Sequence, residues 1–481
     1  MKVKQMELPP GWEWTTMGEI ADVVGGGTPK TNEPSNYEGG TIPWLTPADL
    51  SGYTAKTIGH GARYITQKGL DTSSAKMMPA GTVLFTSRAP IGYVAIASNP
   101  VCANQGFKSF VLKDGVLPDY VYWWLKGSKN LAESMASGTT FLELSGAKAK
   151  QLPIPIAPLD QQKRIVAEIE KQFSRLDEAI ANLKRVKANL KRYKAAVLKA
   201  AVEGRLVETE AELARREGRS YETGGRLLQR ILETRRSQWQ GKGKYKEPAA
   251  PDTTNLPELP EGWVWVSASA LLREPLRNGH SAKATNNPNG LRAFTLSAVT
   301  VGNFSEENTK LTVAEPSKVE DLWAMPGDIY VERSNTPELV GTTCLYNGPV
   351  KFAFIPDLLI RIRVCELVLP RFVELALQSD FGRRYFKDRA QGISGTMPKI
   401  DQAAIETYAI SLPPQAEQHR IVAEVDRRLS LLRETETQVD ADLQRAERLR
   451  HSILEGAFSG RIVHIGDSAV STVTGQLLVS V

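Results

Sequence analysis

At 481 residues, the chain is too long for one ordinary domain and suggests about three folded units. A hydrophobic fraction of 41% can form buried cores, and a net charge of +6 is compatible with a nucleic-acid partner without being decisive. There is no apolar run of about 18 residues and no signal-peptide core, and the three cysteines are widely spaced. These features argue against membrane-spanning, secreted, disulfide-stapled and cysteine-based zinc proteins, and predict a soluble, cytoplasmic one.

In chain order, the predicted elements alternate between β-rich domains and long helices. Short β-branched and aromatic runs between Gly, Pro and Asn, such as 82–86 and 93–97, predict the β-rich parts. The charged segment between the repeats is predicted to hold a helix from about Gly225 to Trp239 and then a Lys-, Gly- and Pro-rich linker. The predicted boundaries are 1–157 for the first β-rich domain, 158–206 for the first long helix, 207–258 for the charged helix and linker, 259–413 for the second β-rich domain, 414–463 for the second long helix and 464–481 for a tail.

The chain contains an internal repeat. Residues 158–207 align without a gap with residues 414–463, and the Gly-Trp pair at 11–12 recurs at 262–263. Residues 79–85 match 326–331, and Ser-Gly-Thr at 137–139 matches the same triplet at 394–396. The sequence therefore predicts a domain and a long helix, each present twice.

Both long helices have clear start and stop signals. Pro153, Pro155 and Pro158 block an earlier start of the first helix, and Asp160 can then cap it. Gly204 and Gly460 are natural C-terminal stops. We expect helices of about 40 residues, each about 60 Å long.

Apolar or long side chains recur three and four residues apart along both helices, a spacing that predicts a coiled-coil seam. Glu436 interrupts the second series, and one polar seam residue can fix the register. We expect the two helices to pair with each other; two separate surface helices are the alternative. The predicted seam consists of Ile169, Phe173, Leu176, Ile180, Leu183, Leu190 and Val197 in the first helix, and Val425, Leu429, Leu432, Val439, Leu443, Ala446 and Ile453 in the second.

No catalytic constellation is found in the sequence. The run from Gly25 to Thr31 superficially resembles a phosphate-binding loop, but Pro29 stands where that loop needs a glycine before its lysine. A plain turn or a contact to a DNA phosphate are the alternatives there. The adenine-methyltransferase motifs are missing, Asp357 and Glu366 lack the lysine of a nuclease site, and the five histidines form no i, i+4 metal pair.

The segment QLPIPIAPLDQQKRIV at 151–166 recurs with variation at 408–422, and IPWLT at 42–46, residues 81–96 and NQGF at 104–107 accompany it. With these motifs the chain resembles the specificity subunits of Type I restriction–modification systems over nearly its whole length outside the linker and tail. The resemblance implies an α+β fold with a pseudo-twofold repeat. In that fold, two β-rich target-recognition domains are joined by two long antiparallel coiled-coil helices.

The resemblance also implies a function in host defence. Each target-recognition domain would read one half of a bipartite site in double-stranded DNA. We expect the two halves to differ, because the helices are far more alike than the two β-rich domains. The implied partners are modification subunits, expected to be two, that bind S-adenosylmethionine and methylate adenine, and restriction subunits that use ATP and Mg²⁺. Because this chain lacks the motifs for those cofactors, we expect it to be non-catalytic and to hold none of them. A self-contained restriction or modification enzyme, and a coiled-coil scaffold that binds no DNA, are the alternatives.

A recognition domain presents basic and polar side chains to base edges and phosphates. Arg88 is the leading candidate, because a glycine-flanked turn follows a strand there, whereas the second copy departs from this Ser-Arg-x-x-x-Gly pattern at 333–337. For every candidate a solvated or structural role is the alternative. The candidates are loop residues at predicted strand ends, namely Lys30, Thr31, Arg63, Arg88, Lys108, Thr139 and Thr140 in the first domain, and Arg292, Arg333, Ser334, Asn335, Lys351, Thr396 and Lys399 in the second.

Overall fold

The structure is a computed structural model that describes residues 7–88, 90–138, 142–238, 244–392 and 397–461. It divides into two compact units. Unit 1 comprises residues 1–184 and 440–481, and unit 2 comprises residues 185–439. These units group the chain differently from the sequence-based domain boundaries, which stay a prediction.

Unit 1 contains the first β-rich domain, here called head 1. Its largest sheet has five strands in the order β2-β9-β6-β7-β4, beside a three-stranded sheet β5-β3-β8. The first strand of the head, β1, pairs antiparallel with its last strand, β10, so the two ends of the head lie side by side. The strands are β1 (Glu13–Thr16), β2 (Ala21–Gly25), β3 (Ile42–Leu45), β4 (Thr57–Ile58), β5 (Arg63–Ile65), β6 (Val83–Phe85), β7 (Val94–Ala97), β8 (Cys102–Ala103), β9 (Lys108–Leu112) and β10 (Pro153–Ile156). The helices are α1 (Met17–Ile20), α2 (Gln67–Asp71), α3 (Pro118–Gly127), α4 (Lys129–Met135) and α5 (Gly146–Lys150), followed by the long helix α6 (Leu159–Val202), whose first part belongs to unit 1.

Unit 2 contains the second β-rich domain, head 2, which is closed by the antiparallel pair β11–β18. Its main sheet has the order β12-β17-β15-β16, and β13 pairs with β14. The strands are β11 (Val264–Ser267), β12 (Arg277–Asn278), β13 (Leu291–Phe294), β14 (Thr309–Thr312), β15 (Ile329–Glu332), β16 (Thr343–Leu345), β17 (Leu359–Ile362) and β18 (Ala409–Leu412). The helices are α7 (Glu210–Glu217), α8 (Gly224–Ser237), α9 (Leu296–Val301), α10 (Pro316–Val319), α11 (Pro370–Gln378), α12 (Asp380–Arg389) and α13 (Gln402–Glu406), and the long helix α14 (Gln415–Phe458) begins in this unit and ends in unit 1.

The two long helices run antiparallel, as predicted. In unit 1 the first part of α6 packs on the last part of α14, where the Arg450 guanidinium lies 5.3 Å from the centre of the Phe173 ring and pairs with Asp177. In unit 2 the last part of α6 packs on the first part of α14, where Arg428 contacts the Tyr193 hydroxyl at 3.4 Å. Among the predicted seam residues, Ile180, Leu183, Leu190 and Leu443 are half-buried and all the others are buried.

The start of α6 differs slightly from the prediction. The helix begins at Leu159, so Asp160 lies in its first turn and is not the N-cap. The reason is that the Pro158 carbonyl already accepts hydrogen bonds from the N–H groups of Gln161 and Gln162, at 2.8 and 3.0 Å. A carboxylate in the first turn still favours the positive end of the helix dipole.

The charged segment holds one more helix than the sequence predicted. The predicted helix is present as α8, which ends at Ser237, and Trp239 lies outside the described residues. The additional helix, α7, starts with a capping box between Thr209 and Glu212, a sequence signal that could have revealed it.

The helix α7 is held on the start of α14. The Glu210 N–H donates to Glu417 Oε2 at 2.9 Å, and the Glu210 carboxylate pairs with Arg420 and Arg219, each at 2.6 Å. The opposite oxygen of Glu417 accepts from Trp263 Nε1 at 3.0 Å. This buried carboxylate therefore ties α7, α14 and the start of head 2 together.

Both long helices end at the predicted glycines. Gly204 and Gly460 have φ values of +67° and +76°, and the residue after each donates its N–H back to the helix, at 2.9 and 3.0 Å. This is the glycine-terminated helix end expected from the sequence. A Cβ on Gly460 would lie 2.1 Å from Pro9 Cγ, so this helix end also packs on the first residues of head 1.

Gly460→Ala is expected to destabilise unit 1 by more than the roughly 1–2 kcal/mol that a left-handed alanine costs, because the new Cβ also meets Pro9. Gly52→Ala is the matched control, since Gly52 has φ +71° in the same unit and its Cβ position is open. Urea unfolding of the two variants measures the difference. Equal losses would show that the Pro9 contact yields at no cost.

Candidate functional site

The first candidate site lies where β6 ends. The chain continues to Arg88, whose backbone bridges to Glu143, while Glu143 exchanges two backbone hydrogen bonds with Ser137 at 3.0 and 3.1 Å. The Leu144 N–H donates to the Ser87 carbonyl at 2.9 Å. We call this arrangement of Ser87, Arg88, Ser137 and Glu143 the tip bridge of head 1.

Two predicted contact residues meet at this tip bridge around a carboxylate. Arg88 Nη1 lies 3.6 Å from Glu143 Oε2, and Lys108 Nζ lies 3.6 Å from Glu143 Oε1. These distances exceed the roughly 2.7–2.9 Å of a charge-assisted hydrogen bond. The side chains of Arg88 and Glu143 are 35% and 40% exposed, so their contact is worth about 0–1 kcal/mol. The Lys108 side chain is 15% exposed, and its Nζ also lies 3.5 Å from the Gln105 carbonyl oxygen. Arg88 can therefore leave the carboxylate for another acceptor at little cost, and the long Lys108 contact adds little to hold the carboxylate in place.

The glycine-rich turn at the end of β2 reaches the same place, since Gly25 pairs with Lys108 across the sheet. A Cβ on Gly26 would lie 1.8 Å from the Asn104 carbonyl oxygen, so the turn packs directly on backbone. The Gly27 carbonyl accepts from Trp44 Nε1 at 2.9 Å. Close packing accounts for these glycines without a ligand, as in the plain-turn interpretation.

Head 2 has a tip bridge with the same backbone pattern. Ser334 bridges to Lys399, Lys399 exchanges two backbone hydrogen bonds of 2.8 Å with Gln391, and the Ile400 N–H donates to the Arg333 carbonyl at 2.9 Å. The tip bridge of head 2 is accordingly formed by Arg333, Ser334, Gln391 and Lys399. The counterpart of Ser137 in this bridge is Gln391, whereas the sequence repeat had matched Ser137 to Ser394, which lies outside the described residues. The connection is longer in head 2, which shifts the correspondence.

The backbone hydrogen bonds of the two heads also identify the glycine of head 2 that corresponds to the last residue of the Ser-Arg-x-x-x-Gly pattern. The Gly92 N–H donates to the Thr86 carbonyl at 3.0 Å, and the Gly341 N–H donates to the Glu332 carbonyl at 2.8 Å. Gly341 is therefore the counterpart of Gly92. The intervening loop is longer in head 2, so the fixed Ser-Arg-x-x-x-Gly spacing does not occur there.

The side chains at the two tip bridges differ, although their backbones correspond. Ser334 takes the place of Arg88, and Lys399 takes the place of Glu143. The N–H groups of Ser87 and Arg333 donate to the carbonyls of Gly106 and Leu358, at 2.7 and 2.8 Å. Gly106 and Leu358 therefore correspond. Lys108 lies two residues after Gly106 and Ile360 lies two residues after Leu358, so Ile360 takes the place of Lys108. The charged trio of head 1 is thus replaced as a set.

Other predicted contact residues of head 2 are engaged within the head. Asn335 Nδ2 donates to Glu332 at 2.6 Å, and its Oδ1 accepts from the Thr336 N–H at 2.8 Å. Arg292 pairs with Glu306 at 2.9 Å and lies over the Phe352 ring. These contacts favour structural roles for Asn335 and Arg292.

The remaining candidates are more dispersed. Lys30 and Thr31 are exposed beyond the glycine-rich turn, and Arg63 is exposed on β5 of the three-stranded sheet. Lys351 is exposed in a turn with φ +57°. The described candidates that the structure brings together are Arg88 with Lys108, and Arg333 and Ser334 with Lys399, although Ser334 is only 2% exposed. Thr139, Thr140 and Thr396 lie outside the described residues. That any of these side chains contacts DNA stays a prediction.

Sequence reasoning missed Glu143, the residue around which the cluster of head 1 is built. A lone glutamate after a Ser-Gly-Thr segment carries no motif, and only the backbone pairing brings it to Arg88 and Lys108. It also missed Gln105, whose side-chain carbonyl accepts from the Thr28 hydroxyl.

Behind the tip of head 2, burial raises the pKa of the Glu332 carboxyl, against the hydrogen bonds from Thr300 and Asn335 and the nearby Arg383. Between the ordinary glutamate pKa of about 4.3 and this raised value, the folded state keeps a proton that the unfolded state releases. The free energy of unfolding contributed by Glu332 therefore falls as the pH rises through that window.

Glu332→Gln is expected to remove this dependence. The variant should gain stability relative to the native protein as the pH rises above the ordinary glutamate pKa of about 4.3, as measured by urea unfolding. The Thr300 hydroxyl, 3.1 Å from the Leu296 carbonyl, can donate there and accept from the new amide. Glu338→Gln, at an exposed position of the same head, is the control and should show no such trend. If Glu332→Gln shows the same pH dependence of stability as the native protein, the Glu332 carboxyl is not its source.

In the part of the chain that the structure describes, no helix combines the length and apolarity needed to cross a membrane. Within the same ranges, no group of three or more His, Cys, Asp and Glu side chains is placed to hold a metal ion. The three cysteines are free thiols, with Cys102 buried and the other two half-buried.

The fold thus contains a β-rich head twice, each with an antiparallel pair of its first and last strands, and in each unit the two long helices pack on each other. Solved structures share this architecture. The HsdS subunit from Thermoanaerobacter tengcongensis superposes with a TM-score of 0.56 at 20% identity, covering 96% of this chain and 100% of that one. A chain from structural work on assembly and conformational transition of the type I R-M system gives a TM-score of 0.65 at 19% identity, covering 95% and 99%.

Sequence comparison identifies proteins that are similar to this chain. Residues 9–192 match the family model described as the Type I restriction modification DNA specificity domain. The EcoKI specificity subunit of Escherichia coli K12 is 23% identical over 95% of this chain and 90% of that protein. The MjaIX specificity subunit of Methanocaldococcus jannaschii is 41% identical, and the EcoR124I/EcoR124II subunit of Escherichia coli is 30% identical. Those two matches cover 37% and 35% of this chain, and span less than half of the relatives' own length, 40% and 42%. Residues 9–192 thus match a Type I restriction modification DNA specificity domain, and the chain as a whole is similar to Type I restriction enzyme specificity subunits.

Proposed function

We propose that this chain is the non-catalytic, DNA-reading subunit of a Type I restriction–modification complex. Each head reads one half of an asymmetric bipartite site in double-stranded DNA. The observation that carries the proposal is the pair of tip bridges, which keep one backbone pattern and present different side chains. A shared backbone with exchanged polar groups is what two related readers of different base sequences require.

The chemistry of the tips suits the major groove. Arg88 and Lys108 in head 1, and Arg333 and Lys399 in head 2, are the residue types that bind guanine O6 and N7 or neighbouring phosphates. The counterpart of Glu143 in head 2 is the basic Lys399, so the two heads present different charge patterns. This difference supports unlike half-sites.

The long helices act, in this proposal, as the spacer between the two half-sites. Each helix has 44 residues and is therefore about 66 Å long. A stiff spacer fixes the separation of two short elements, near one turn of DNA or about 34 Å, while the bases between them need only the right number.

The complex would include two modification subunits that bind S-adenosylmethionine and methylate adenine, and restriction subunits that use ATP and Mg²⁺. Those cofactors would belong to the partner chains. The complex would act in the cytoplasm, where it meets the host's DNA.

The deciding experiment is single-molecule methylome sequencing of a host that carries the chain and its modification subunit, with and without this gene. We expect adenine methylation at one bipartite motif with unlike halves, lost when the gene is deleted. Identical half-sites would contradict the asymmetry. Methylation or cleavage by the purified chain alone would point to a self-contained enzyme, and no DNA binding by the assembled complex would point to a scaffold.

A further inference from the structure

We infer that Glu143 is a positioning residue that determines the specificity of head 1, by holding Arg88 and Lys108 until guanine or phosphate acceptors of the cognate half-site replace its carboxylate. The inference rests on the proposed DNA-reading function and extends it to a residue that would not itself be counted as a contact.

The first support is the looseness of the charged contacts. Both basic groups lie 3.6 Å from the carboxylate, and the side chains of Arg88 and Glu143 are 35% and 40% exposed. A guanine that offers O6 and N7 to a guanidinium can form two shorter hydrogen bonds than Glu143 provides. DNA that lacks the right acceptor leaves Arg88 with Glu143 and also places its phosphates near a carboxylate. Glu143 therefore weakens the binding of non-cognate DNA more than the binding of the cognate half-site.

The second support is that the backbone, not the ion cluster, holds the tip bridge. The N–H and carbonyl of Glu143 are both bonded to Ser137, and the next N–H is bonded to Ser87. Head 2 keeps every one of these bonds with Ser334, Lys399 and Ile360 at the three positions. A cluster kept to stabilise the bridge would be needed in both heads. Head 2 forms the same bridge without these charges, so Arg88, Lys108 and Glu143 are not needed to hold the bridge. Their role lies in the charged surface that they form.

The test uses the complex with its modification subunits and three DNA duplexes. One carries the methylated motif, the second has the head 1 half scrambled and the third has the head 2 half scrambled. Glu143→Gln is expected to weaken discrimination against the duplex scrambled for head 1 by about tenfold, within the range of one bidentate base contact. Discrimination against the other scrambled duplex should not change, and this also shows that the variant is folded.

A second readout is the salt dependence of binding. Removal of the carboxylate frees Arg88 and Lys108 for phosphates of any sequence. The slope of log Kd against log salt on the duplex scrambled for head 1 should therefore steepen by about one for each of the two side chains that reaches a phosphate. A merely structural glutamate would not produce this change.

Glu133→Gln is the matched control, because Glu133 lies on α4 of the same head and forms a similarly exposed pair with Lys129 at 3.8 Å. It should leave discrimination and salt slope at native values. Unchanged discrimination by head 1 in Glu143→Gln overturns the inference while leaving the proposed function intact. A native complex that discriminates neither half overturns the proposed function, and the inference with it.

Discussion

Phe458→Ala is expected to lower the free energy of unfolding of unit 1 by about 3–5 kcal/mol, the usual cost of emptying a buried phenylalanine site. Phe458 is fully buried at the end of α14, and its ring meets those of Tyr120 and Trp124 edge to face, at 5.0 and 5.1 Å between centroids. Both partners lie on α3 of head 1. The substitution therefore leaves a cavity between two elements that are far apart in sequence.

Urea unfolding followed by tryptophan fluorescence measures this effect, since Trp124 lines the cavity. Leu431→Ala is the control, because Leu431 lies on the same helix and is 52% exposed, so its loss should change stability by at most about 0.5 kcal/mol. If both variants unfold at the same urea concentration, α14 does not contribute to the core of head 1. Under the proposed function, Phe458→Ala should also reduce methylation in cells.

Glu417→Ala is expected to cost about 2–4 kcal/mol in unit 2, because it leaves two buried donors without an acceptor. The donors are Trp263 Nε1 at 3.0 Å and the Glu210 N–H at 2.9 Å. Burial raises the pKa of the Glu417 carboxyl, and the hydrogen bonds from Glu210 and Trp263 oppose that rise. Release of α7 from α14 should accompany the loss and be seen as faster amide exchange in residues 210–217.

The internal repeat supplies the matched control for this prediction. Gln161 is the counterpart of Glu417, and its side-chain carbonyl accepts from Trp12 Nε1 at 2.6 Å. Gln161→Ala therefore removes an acceptor from one indole and should cost about 1 kcal/mol. A loss in Gln161→Ala as large as that in Glu417→Ala would mean that the bond to α7 contributes nothing.

The sequence predicted the elements whose physics is local. Gly204 and Gly460 ended the helices as expected, because only glycine adopts their positive φ without cost. The three- and four-residue spacing predicted that the two long helices pair, because a continuous apolar stripe has to be covered. Their antiparallel orientation was implied by the resemblance. The N-cap of α6 lies two residues before the predicted Asp160, since the carbonyl of a proline can begin a helix even though its nitrogen cannot donate.

The candidate site was less accessible to sequence reasoning. Arg88 and Lys108 were predicted separately, but the carboxylate that joins them comes from a segment that only backbone pairing brings close. The longer loop between Glu332 and Gly341 displaced the repeat, so the counterpart of Arg88 could not be aligned. Asn335 had the right residue type, but its side chain is bonded to a buried carboxylate that its sequence position does not reveal.

The division of α14 between the two units has a consequence for the order of events at the ribosome. Unit 2 is complete once residue 439 has emerged, whereas the core of head 1 still lacks Ile453, Leu454 and Phe458. At about 5–20 residues per second, head 1 waits on the order of tens of seconds for these side chains after its own last strand is made. The head that is synthesised first is therefore the last to finish folding, and the nascent chain carries an open apolar face on α3 for most of its synthesis.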